Sequence, residues 1–351
     1  MREEDVQWMK RALDEGRRGL GTTSPNPPVG AVIVAQGRPI GFGYHRCAGE
    51  AHAERRALAD ACERGHASLL PGSTLYVTLE PCSSQGRTPP CTEAIIQAGL
   101  ARVVYGADDP DPRHRGRAQR VLAEHGIACE RGVCEKECRY LARGFLSGVE
   151  RKRPWVTAKI AMTLDGRITR HRERWLSSGS ALRYAHQLRL ENDAILVGGE
   201  TVRCDDPALT VREPLTPVPE VKRQPWRIVA TCDRASLPKN ARLLTDAHSD
   251  RTLVFEHVDN WKKDVLEYLY EKHDVRMLLL ECGGRLLRSW LAEGLVDEWV
   301  GIHTPWIGGG PSLAVSGSNF LPREWRLERP EVIQLDRDVV IRGLMEQVAQ
   351  A

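Results

Sequence analysis

The sequence predicts an α/β fold in two domains, residues 1–150 and 151–351. Three observations predict it: helical and strand-like segments alternate along the chain, its 351 residues exceed what one core usually holds, and a polar stretch at 151–154 separates two such alternations. Alternation of helices with short apolar strands is typical of layered α/β domains. We therefore expect two α/β layer domains joined by a polar linker.

The first half is predicted to begin with an amphipathic helix over 3–18. The apolar run 29–34 predicts a buried strand, and 40–44 can return as its hairpin partner. The remaining predicted elements are a helix over 51–64, a strand over 73–79, a helix over 91–98, a strand over 102–105, a helix over 116–124 and a last helix near 134–145.

The second half repeats the alternation. Strands are predicted over 155–162, 194–197, 226–231, 252–255, 276–280 and 298–302, and helices over 181–190, 261–272 and 285–293. The stretch 213–225 holds four prolines. Proline clusters of this kind predict a surface loop rather than a domain boundary.

Composition and charge limit the possible partners. Hydrophobic residues make up 41% of the chain and charged residues 28%, which is typical of a globular protein, and no stretch approaches the ~20 apolar residues of a membrane span. The net charge of +3 comes without long Lys/Arg runs, so we expect no nucleic-acid partner and no membrane partner. We expect a cytoplasmic protein for two reasons. The acidic N-terminal segment lacks the apolar stretch of a secretory signal, and the ten cysteines are best explained as free thiols or metal ligands.

A metal site is predicted from His52, Glu54, Cys82 and Cys91. Zinc takes imidazole and thiolate ligands in a tetrahedron, and three protein ligands leave the fourth position to a water. Glu54 lies two residues after His52, where it can accept a proton from that water and pass it to a leaving amine. This is the signature of zinc-dependent base deaminases. We predict one zinc ion held by His52, Cys82 and Cys91, with Glu54 catalytic.

Two other interpretations of these residues stay open. His52 could cap a helix while the cysteines fill apolar space, as free cysteines often do. The zinc could instead be structural, with a fourth ligand from His45, Cys47 or Cys62, although Glu54 would then have no task. Cys134 and Cys138 share a predicted helix and are interpreted as ordinary thiols.

Longer motifs extend this pattern through both halves. They are Asn26-Pro27-Pro28-Val29-Gly30-Ala31-Val32, Gly49-Glu50-Ala51-His52-Ala53-Glu54, Glu80-Pro81-Cys82, Gly86-Arg87-Thr88-Pro89-Pro90-Cys91, Ala158-Lys159-Ile160-Ala161, Ile195-Leu196-Val197-Gly198-Gly199-Glu200-Thr201, Asp205-Asp206-Pro207 and Glu281-Cys282-Gly283-Gly284. Through them nearly the whole chain resembles the bifunctional deaminase-reductases of riboflavin biosynthesis. The resemblance implies a cytidine-deaminase-like α/β/α layer domain followed by a dihydrofolate-reductase-like α/β domain.

The resemblance also implies the chemistry and the site residues. A deaminase would remove the 2-amino group of a phosphoribosylamino-pyrimidine, and a reductase would then convert the ribosyl group to ribityl with NADPH. Besides Glu54, the implied catalytic residues are Lys159 and Asp205. The implied substrate residues are Asn26, Arg87, Arg189, Leu209, Arg212 and Glu281, and the implied cofactor residues are Ala161, Trp175, Thr201, Asp205, Gly283, Gly284 and Arg285.

Residue chemistry bears on some of these positions independently. Gly283-Gly284 lies between a predicted strand and a predicted helix, where free backbone N–H groups suit a pyrophosphate, although a glycine at a helix start is often only a cap. Without a Gly-x-Gly-x-x-Gly after a predicted strand, the dinucleotide site would not be of the Rossmann type. Arg189 and Arg212 could equally be solvated surface charges.

Departures from the family leave further alternatives. The segment 167–174 is shorter than usual and lacks the serine before Trp175, and Cys232 replaces a usual serine near the cofactor. One alternative is therefore a paralogue with an active deaminase and an impaired or altered reductase. A nucleic-acid deaminase and a noncatalytic zinc-stabilised scaffold are the others. We expect a homo-oligomer.

Overall fold

The computed structural model describes residues 2–84, 89–112, 114–169, 176–257 and 260–348. The chain divides into two units, Met1–Lys152 and Arg153–Ala351. Each unit holds a sheet with helices packed on it, so the predicted α/β class is confirmed. Among the helices described, none combines the length and the apolar character that crossing a bilayer requires.

The first unit is built on a five-stranded sheet with the order β2-β1-β3-β4-β5. Strand β1 is antiparallel to both neighbours, whereas β3, β4 and β5 are parallel. Its elements are α1 (Glu3–Arg17), β1 (Gly30–Ala35), β2 (Arg38–Tyr44), α2 (Ala53–Glu63), β3 (Thr74–Leu79), α3 (Cys91–Gln97), β4 (Arg102–Ala107), α4 (Arg117–Glu124), β5 (Ala128–Arg131), α5 (Glu135–Leu141) and α6 (Arg143–Arg151).

The prediction for the end of this unit is partly wrong. The helix predicted near 134–145 is two helices, because the backbone leaves the helical region at Ala142 (φ −87°, ψ 8°) between α5 and α6. Strand β5 was not predicted, since its four residues carry no apolar alternation. The polar stretch 151–154, predicted as a linker, is also held in place. Arg151 ends α6, and Arg153 forms two hydrogen bonds of 2.7 and 2.8 Å with Asp297.

Helix α2 lies directly against β2 because two glycines leave room for it. A Cβ atom on Gly41 would lie 2.3 Å from the carbonyl oxygen of Ala57, and one on Gly43 would lie 2.2 Å from that of Ala53. Such distances are far below van der Waals contact, so only glycine permits this approach. The close packing fixes the start of α2, where His52 and Glu54 lie.

The second unit is built on an eight-stranded sheet with the order β12-β13-β11-β6-β10-β7-β8-β9. The strands from β11 to β9 are parallel, β13 is antiparallel to β11, and β12 is antiparallel to β13. Its elements are β6 (Trp155–Thr163), α7 (Gly179–Glu191), β7 (Ala194–Gly198), α8 (Gly199–Asp205), β8 (Trp226–Thr231), α9 (Arg242–Thr245), β9 (Thr252–Glu256), α10 (Trp261–Lys272), β10 (Met277–Leu280), α11 (Gly284–Glu293), β11 (Glu298–Thr304), β12 (Trp325–Leu335) and β13 (Asp338–Gln347).

The parallel strands bring their carboxyl ends to one edge of this sheet. Strands β6, β10 and β7 are neighbours there, and α8 and α11 begin at the ends of β7 and β10. Open α/β sheets bind ligands in the crevice outside these carboxyl ends. The sequence predicted these strands, though not their direction, and it did not predict α8, α9 or the β12–β13 hairpin. The first strand of that hairpin carries Pro330 and a register shift between Glu328 and Glu331.

Candidate functional site

Three elements of the first unit bring the predicted metal ligands together. His52 immediately precedes α2, Cys82 follows β3, and Cys91 is the first residue of α3. Their ligand atoms all lie within 4.8 Å of one another, and His52 Nδ1 is 3.5 Å from Cys82 Sγ and 3.4 Å from Cys91 Sγ. Around a tetrahedral zinc ion the sulfur and nitrogen ligands are about 3.6 Å apart. Donor chemistry and spacing therefore both fit zinc.

The two thiols at this site are electrostatically unlike. The Cys91 thiol donates a hydrogen bond to Cys82, which lowers the pKa of Cys82 and raises the pKa of Cys91. The backbone N–H of Cys91 also donates to Cys82 Sγ, at 3.2 Å. Cys82 is thus prepared as a thiolate, and metal binding would displace the remaining proton from Cys91.

Glu54 is buried in the first turn of α2, beside the cluster. Burial, followed by the charge of Cys82, raises the pKa of its carboxyl group, and the carboxyl group contacts the Cys91 thiol. A raised pKa suits a group that accepts a proton and then returns it. The position agrees with the role predicted for Glu54 from its spacing to His52.

The proposed fourth ligands have other partners. His45 donates from Nδ1 to the carbonyl of Ala51 at 3.3 Å, which leaves Nε2 to accept from Asn26 Nδ2 at 3.0 Å. Burial lowers the pKa of His45, as a neutral ring in this arrangement requires. Cys62 is exposed on α2 and Cys47 hydrogen-bonds Glu50. Within the residues that the structure describes, the metal-ligating group contains three side chains, which leaves a coordination position open.

Two residues that position this site were not predicted to do so. His45 orients Asn26, and Glu80 fixes the chain just before Cys82. The buried Glu80 carboxylate accepts hydrogen bonds from the backbone N–H groups of Asp109 (3.2 Å), Gly116 (3.0 Å) and Ala118 (3.1 Å). These bonds tie the end of β3 to the start of α4. The Glu-Pro-Cys motif was the one sequence signal for Glu80.

The two prolines before the ligand Cys91 are held by a side chain of α2. Arg55 Nη2 donates to the carbonyl oxygens of Pro89 (3.3 Å) and Pro90 (3.1 Å), immediately before the ligand Cys91. Arg87 itself lies outside the described residues, as does Trp175 in the second unit.

The second unit brings Lys159, Glu281 and Arg189 into one ion cluster. Lys159 lies on β6, Glu281 follows β10, and Arg189 lies on α7. Glu281 is 3.0 Å from Lys159 Nζ and forms hydrogen bonds of 2.7 and 3.1 Å with Arg189. Burial acts to raise the pKa of Glu281, but the charges of Arg189 and Lys159 outweigh it and hold that pKa below its usual range. The cluster carries a net positive charge.

The other predicted residues of this region lie along the segment after α8. Asp205 is the exposed last residue of α8. Leu209 is buried at a positive φ of 51°. Arg212 bonds Thr210 Oγ1 at 2.9 Å and lies 3.3 Å from His186 Nε2.

The predicted cofactor positions gather at the carboxyl edge of the sheet. Ala161 lies on β6, Thr201 lies in α8, and Gly283, Gly284 and Arg285 form the start of α11. No side chain caps α11, and a Cβ atom on Gly283 would meet open space. Such a helix start fits a pyrophosphate. Position 284 admits only glycine for a separate reason, because a Cβ atom there would lie 2.0 Å from the carbonyl oxygen of Leu313.

Family models match both units of the chain. One described as "Cytidine and deoxycytidylate deaminase zinc-binding region" matches residues 2–107, which include all three clustered ligands and Glu54. Another described as "RibD C-terminal domain" matches residues 154–341.

Similar proteins match nearly the whole chain. The riboflavin biosynthesis protein RibD of Aquifex aeolicus is 38% identical, with 97% of this chain and 98% of the relative covered, and that of Escherichia coli is 38% identical over 85% and 86%. The solved structure of Acinetobacter baumannii RibD matches with a TM-score of 0.86 at 33% identity, covering 98% and 99%. The Thermotoga maritima diaminohydroxyphosphoribosylaminopyrimidine deaminase/5-amino-6-(5-phosphoribosylamino)uracil reductase matches with a TM-score of 0.85 at the same identity and coverage.

Proposed function

This chain belongs to the RibD family of riboflavin biosynthesis, and from that premise we infer that the unit Met1–Lys152 carries a zinc-dependent deaminase and the unit Arg153–Ala351 an NADPH-dependent reductase. The protein is a bifunctional enzyme of this pathway. The single observation that carries the assignment of the first unit is the His52, Cys82 and Cys91 cluster with the buried Glu54 beside it. The Lys159, Glu281 and Arg189 cluster supports the second assignment.

The first reaction exchanges the 2-amino group of 2,5-diamino-6-(5-phosphoribosylamino)pyrimidin-4-one for oxygen. The zinc ion, when bound to His52, Cys82 and Cys91, supplies a water whose pKa is lowered toward neutrality. Glu54 accepts the proton released as oxygen bonds to the ring carbon, and it returns a proton to the amino nitrogen so that ammonia can leave. Asn26, held by His45, binds the pyrimidine.

The second reaction reduces the ribosyl group of the deaminated product. NADPH supplies the hydride. The Lys159 ammonium donates a proton to the ring oxygen as the C1–O bond breaks, and the exocyclic nitrogen stabilises the open chain as an iminium group. Hydride transfer to C1 then gives the ribityl amine, and Lys159 regains a proton from solvent. Glu281 holds Lys159 in place, at 3.0 Å.

The roles of the remaining site residues follow from the same division. Arg87 binds substrate in the deaminase, whereas Arg189, Leu209, Arg212 and Glu281 form the substrate side of the reductase. Asp205 acts with Lys159 at the reacting end of the substrate and the cofactor. Ala161, Trp175, Thr201, Gly283, Gly284 and Arg285 form the NADPH side. What supports this arrangement is the shared carboxyl edge of β6, β7 and β10.

We predict one tightly bound zinc per chain, lost on replacement of a ligand. Cys82→Ala removes one of three protein ligands and should reduce both the zinc content and the release of ammonia to background. The matched control is Cys62→Ala, because Cys62 is exposed on α2. Metal analysis by mass spectrometry makes the comparison, and undiminished zinc in Cys82→Ala contradicts the assigned ligand set.

Asp205→Ala should separate the two activities. We expect loss of most NADPH oxidation with the deaminated substrate, while zinc content and ammonia release stay unchanged because Asp205 belongs to the other unit. The measurement is NADPH absorbance alongside an ammonia assay on the same preparation. Equal loss of ammonia release and NADPH oxidation would contradict the assignment of the two activities to separate units.

A paralogue with an impaired reductase is the second candidate function. The altered segment 167–174 favours it, and residues 170–175 lie outside the described part of the chain. The intact Lys159, Glu281 and Arg189 cluster favours an active reductase. NADPH consumption by the wild-type protein decides between the two candidates.

A nucleic-acid deaminase and a noncatalytic scaffold have less support. The net charge of +3 gives no electrostatic footprint for a phosphate backbone, and a scaffold would have no use for a buried carboxyl group beside its metal. We therefore propose a small-molecule substrate.

We also propose a cytoplasmic homo-oligomer, with exposed apolar side chains such as Phe320 and Val332 available to an interface. Light scattering measures its mass.

A further inference from the structure

The segment 208–212 belongs to no helix or strand, yet its central residues 209–211 are buried. Leu209, Thr210 and Val211 are each less than a tenth exposed, and Leu209 adopts a left-handed backbone conformation that a bulky residue rarely takes. Buried backbone N–H and C=O groups need hydrogen-bond partners, which a ladder or a helix would normally supply. For five of these backbone groups the partners are side chains from elsewhere in the second unit.

Gln224 makes the most complete of these contacts. Its Oε1 accepts from the backbone N–H of Val211 at 2.7 Å, and its Nε2 donates to the carbonyl of the same residue at 3.1 Å. The glutamine amide therefore pairs with Val211 as a neighbouring strand would. Gln224 is itself anchored, because Arg251 Nε donates to its carbonyl at 2.6 Å and the Arg251 guanidinium lies over the Trp226 ring.

Other side chains hold the segment on either side of Val211. Arg227 donates to the carbonyl of Ala208 at 3.0 Å, and Arg189 donates to that of Thr210 at 3.3 Å. The backbone N–H of Arg212 donates to His186 Nδ1 at 3.3 Å. Burial, together with the charges of Arg189 and Arg212, lowers the pKa of His186 to about 4, so the ring stays neutral and can accept that hydrogen bond.

We propose that Gln224 is a positioning residue of the reductase, which holds Val211 so that Leu209 and Arg212 keep the geometry that binds the ribosyl phosphate end of the substrate. This inference rests on the proposed function of the second unit. It also assigns a role to the proline-containing loop 213–225, because that loop places Gln224 beside the segment 208–212. Among the described residues, both side-chain hydrogen bonds of Gln224 join the Val211 backbone, so Gln224 acts through its neighbours and not on the reacting atoms.

The test uses two substitutions that both remove the Nε2 donor but differ in whether they keep an acceptor for the Val211 N–H. Q224L removes both hydrogen bonds, whereas Q224E keeps an acceptor for the Val211 N–H but sets a carboxylate oxygen against the Val211 carbonyl. When the carboxyl group of Q224E is protonated, it can donate again. A carboxyl group beside a carbonyl oxygen titrates above the usual value of about 4.3, so its recovery falls within a usable pH range.

The matched control is Q187L. Gln187 lies on α7, and its Oε1 accepts from the backbone N–H of Thr216 at 3.1 Å, so it holds the same loop without touching the segment. Steady-state reduction of 5-amino-6-(5-phosphoribosylamino)uracil by the full-length protein is followed through NADPH absorbance at several values between about pH 5 and pH 8. Thermal melting of each variant is recorded beside it.

We expect both Gln224 variants to raise the KM for the pyrimidine about tenfold at neutral pH, which corresponds to the loss of about one hydrogen-bonded contact. The KM for NADPH should not change, and Q187L should behave as wild type. Relative to wild type, the KM of Q224E should recover as the pH falls, whereas that of Q224L should not.

A wild-type KM in both Gln224 variants, or a KM ratio of Q224E that does not respond to pH, would overturn the inference while leaving the proposed function intact. Equal changes in both KM values that follow the melting temperature would also overturn it, because they indicate general destabilisation. Wild-type protein that neither binds the pyrimidine nor oxidises NADPH with it contradicts the proposed function and the inference together.

Discussion

Glu54→Gln is expected to abolish ammonia release while leaving the zinc content and the reductase intact. The substitution keeps the size of the side chain but removes the group that takes a proton from water and passes it to the leaving amine. Positioned acid-base groups contribute about 10²–10⁴-fold to a rate, and Glu54 serves more than one proton transfer, so we expect a loss at the upper end of this range. The measurement is single-turnover ammonia release with enzyme in excess of substrate.

The control for this variant is Glu63→Gln on the same helix. Glu63 is exposed near the end of α2, so its loss should change neither activity. Unchanged zinc content in Glu54→Gln would show that the first unit is folded, and reduction of pre-deaminated substrate would show the same for the second unit. Deamination by Glu54→Gln within tenfold of the wild-type rate would contradict the role given to this carboxyl group.

Lys159→Met is expected to have the second large effect, a loss of about 10²–10⁴-fold in the rate of NADPH oxidation. The variant removes the proposed proton donor to the ribose ring oxygen. Glu281 keeps its two hydrogen bonds to Arg189, so the buried carboxylate stays paired and the unit should remain folded. Stopped-flow absorbance of bound NADPH measures the hydride step itself.

Lys159→Arg separates charge from proton transfer. The guanidinium can still pair with Glu281, but it does not release a proton at neutral pH. We expect this variant to bind both ligands and yet remain slow in hydride transfer. Recovery of the wild-type rate in Lys159→Arg would show that the positive charge alone is required.

The sequence was sufficient for residues whose chemistry depends on local spacing. His52 and Glu54 are two residues apart on one helix start, and Cys82 and Cys91 flank a single loop, so their convergence followed from the predicted strand and helices. Six strands of the second unit were predicted for a similar reason, because each is a short apolar run bounded by polar residues.

Contacts that depend on tertiary packing could not be predicted. His45 faces Asn26 across 19 positions of sequence, and Gln224 meets Val211 through a loop that has no regular secondary structure. Glutamine in such a loop is usually solvated, and nothing in its neighbours indicates the amide pairing. The β12–β13 hairpin was missed because Pro330 and adjacent charges interrupt the alternation that marks a strand.

The central claim, that one chain deaminates and then reduces a phosphoribosylamino-pyrimidine, is tested most directly by mass analysis of its products. The zinc-loaded wild-type protein is incubated with 2,5-diamino-6-(5-phosphoribosylamino)pyrimidin-4-one, with and without NADPH. Without NADPH we expect a product in which one amino group is replaced by oxygen, with one ammonia released. With NADPH that product should gain two hydrogens as one NADPH is oxidised. Accumulation of the deaminated ribosyl compound beside unconsumed NADPH, or substrate that stays unchanged in both incubations, would contradict the claim.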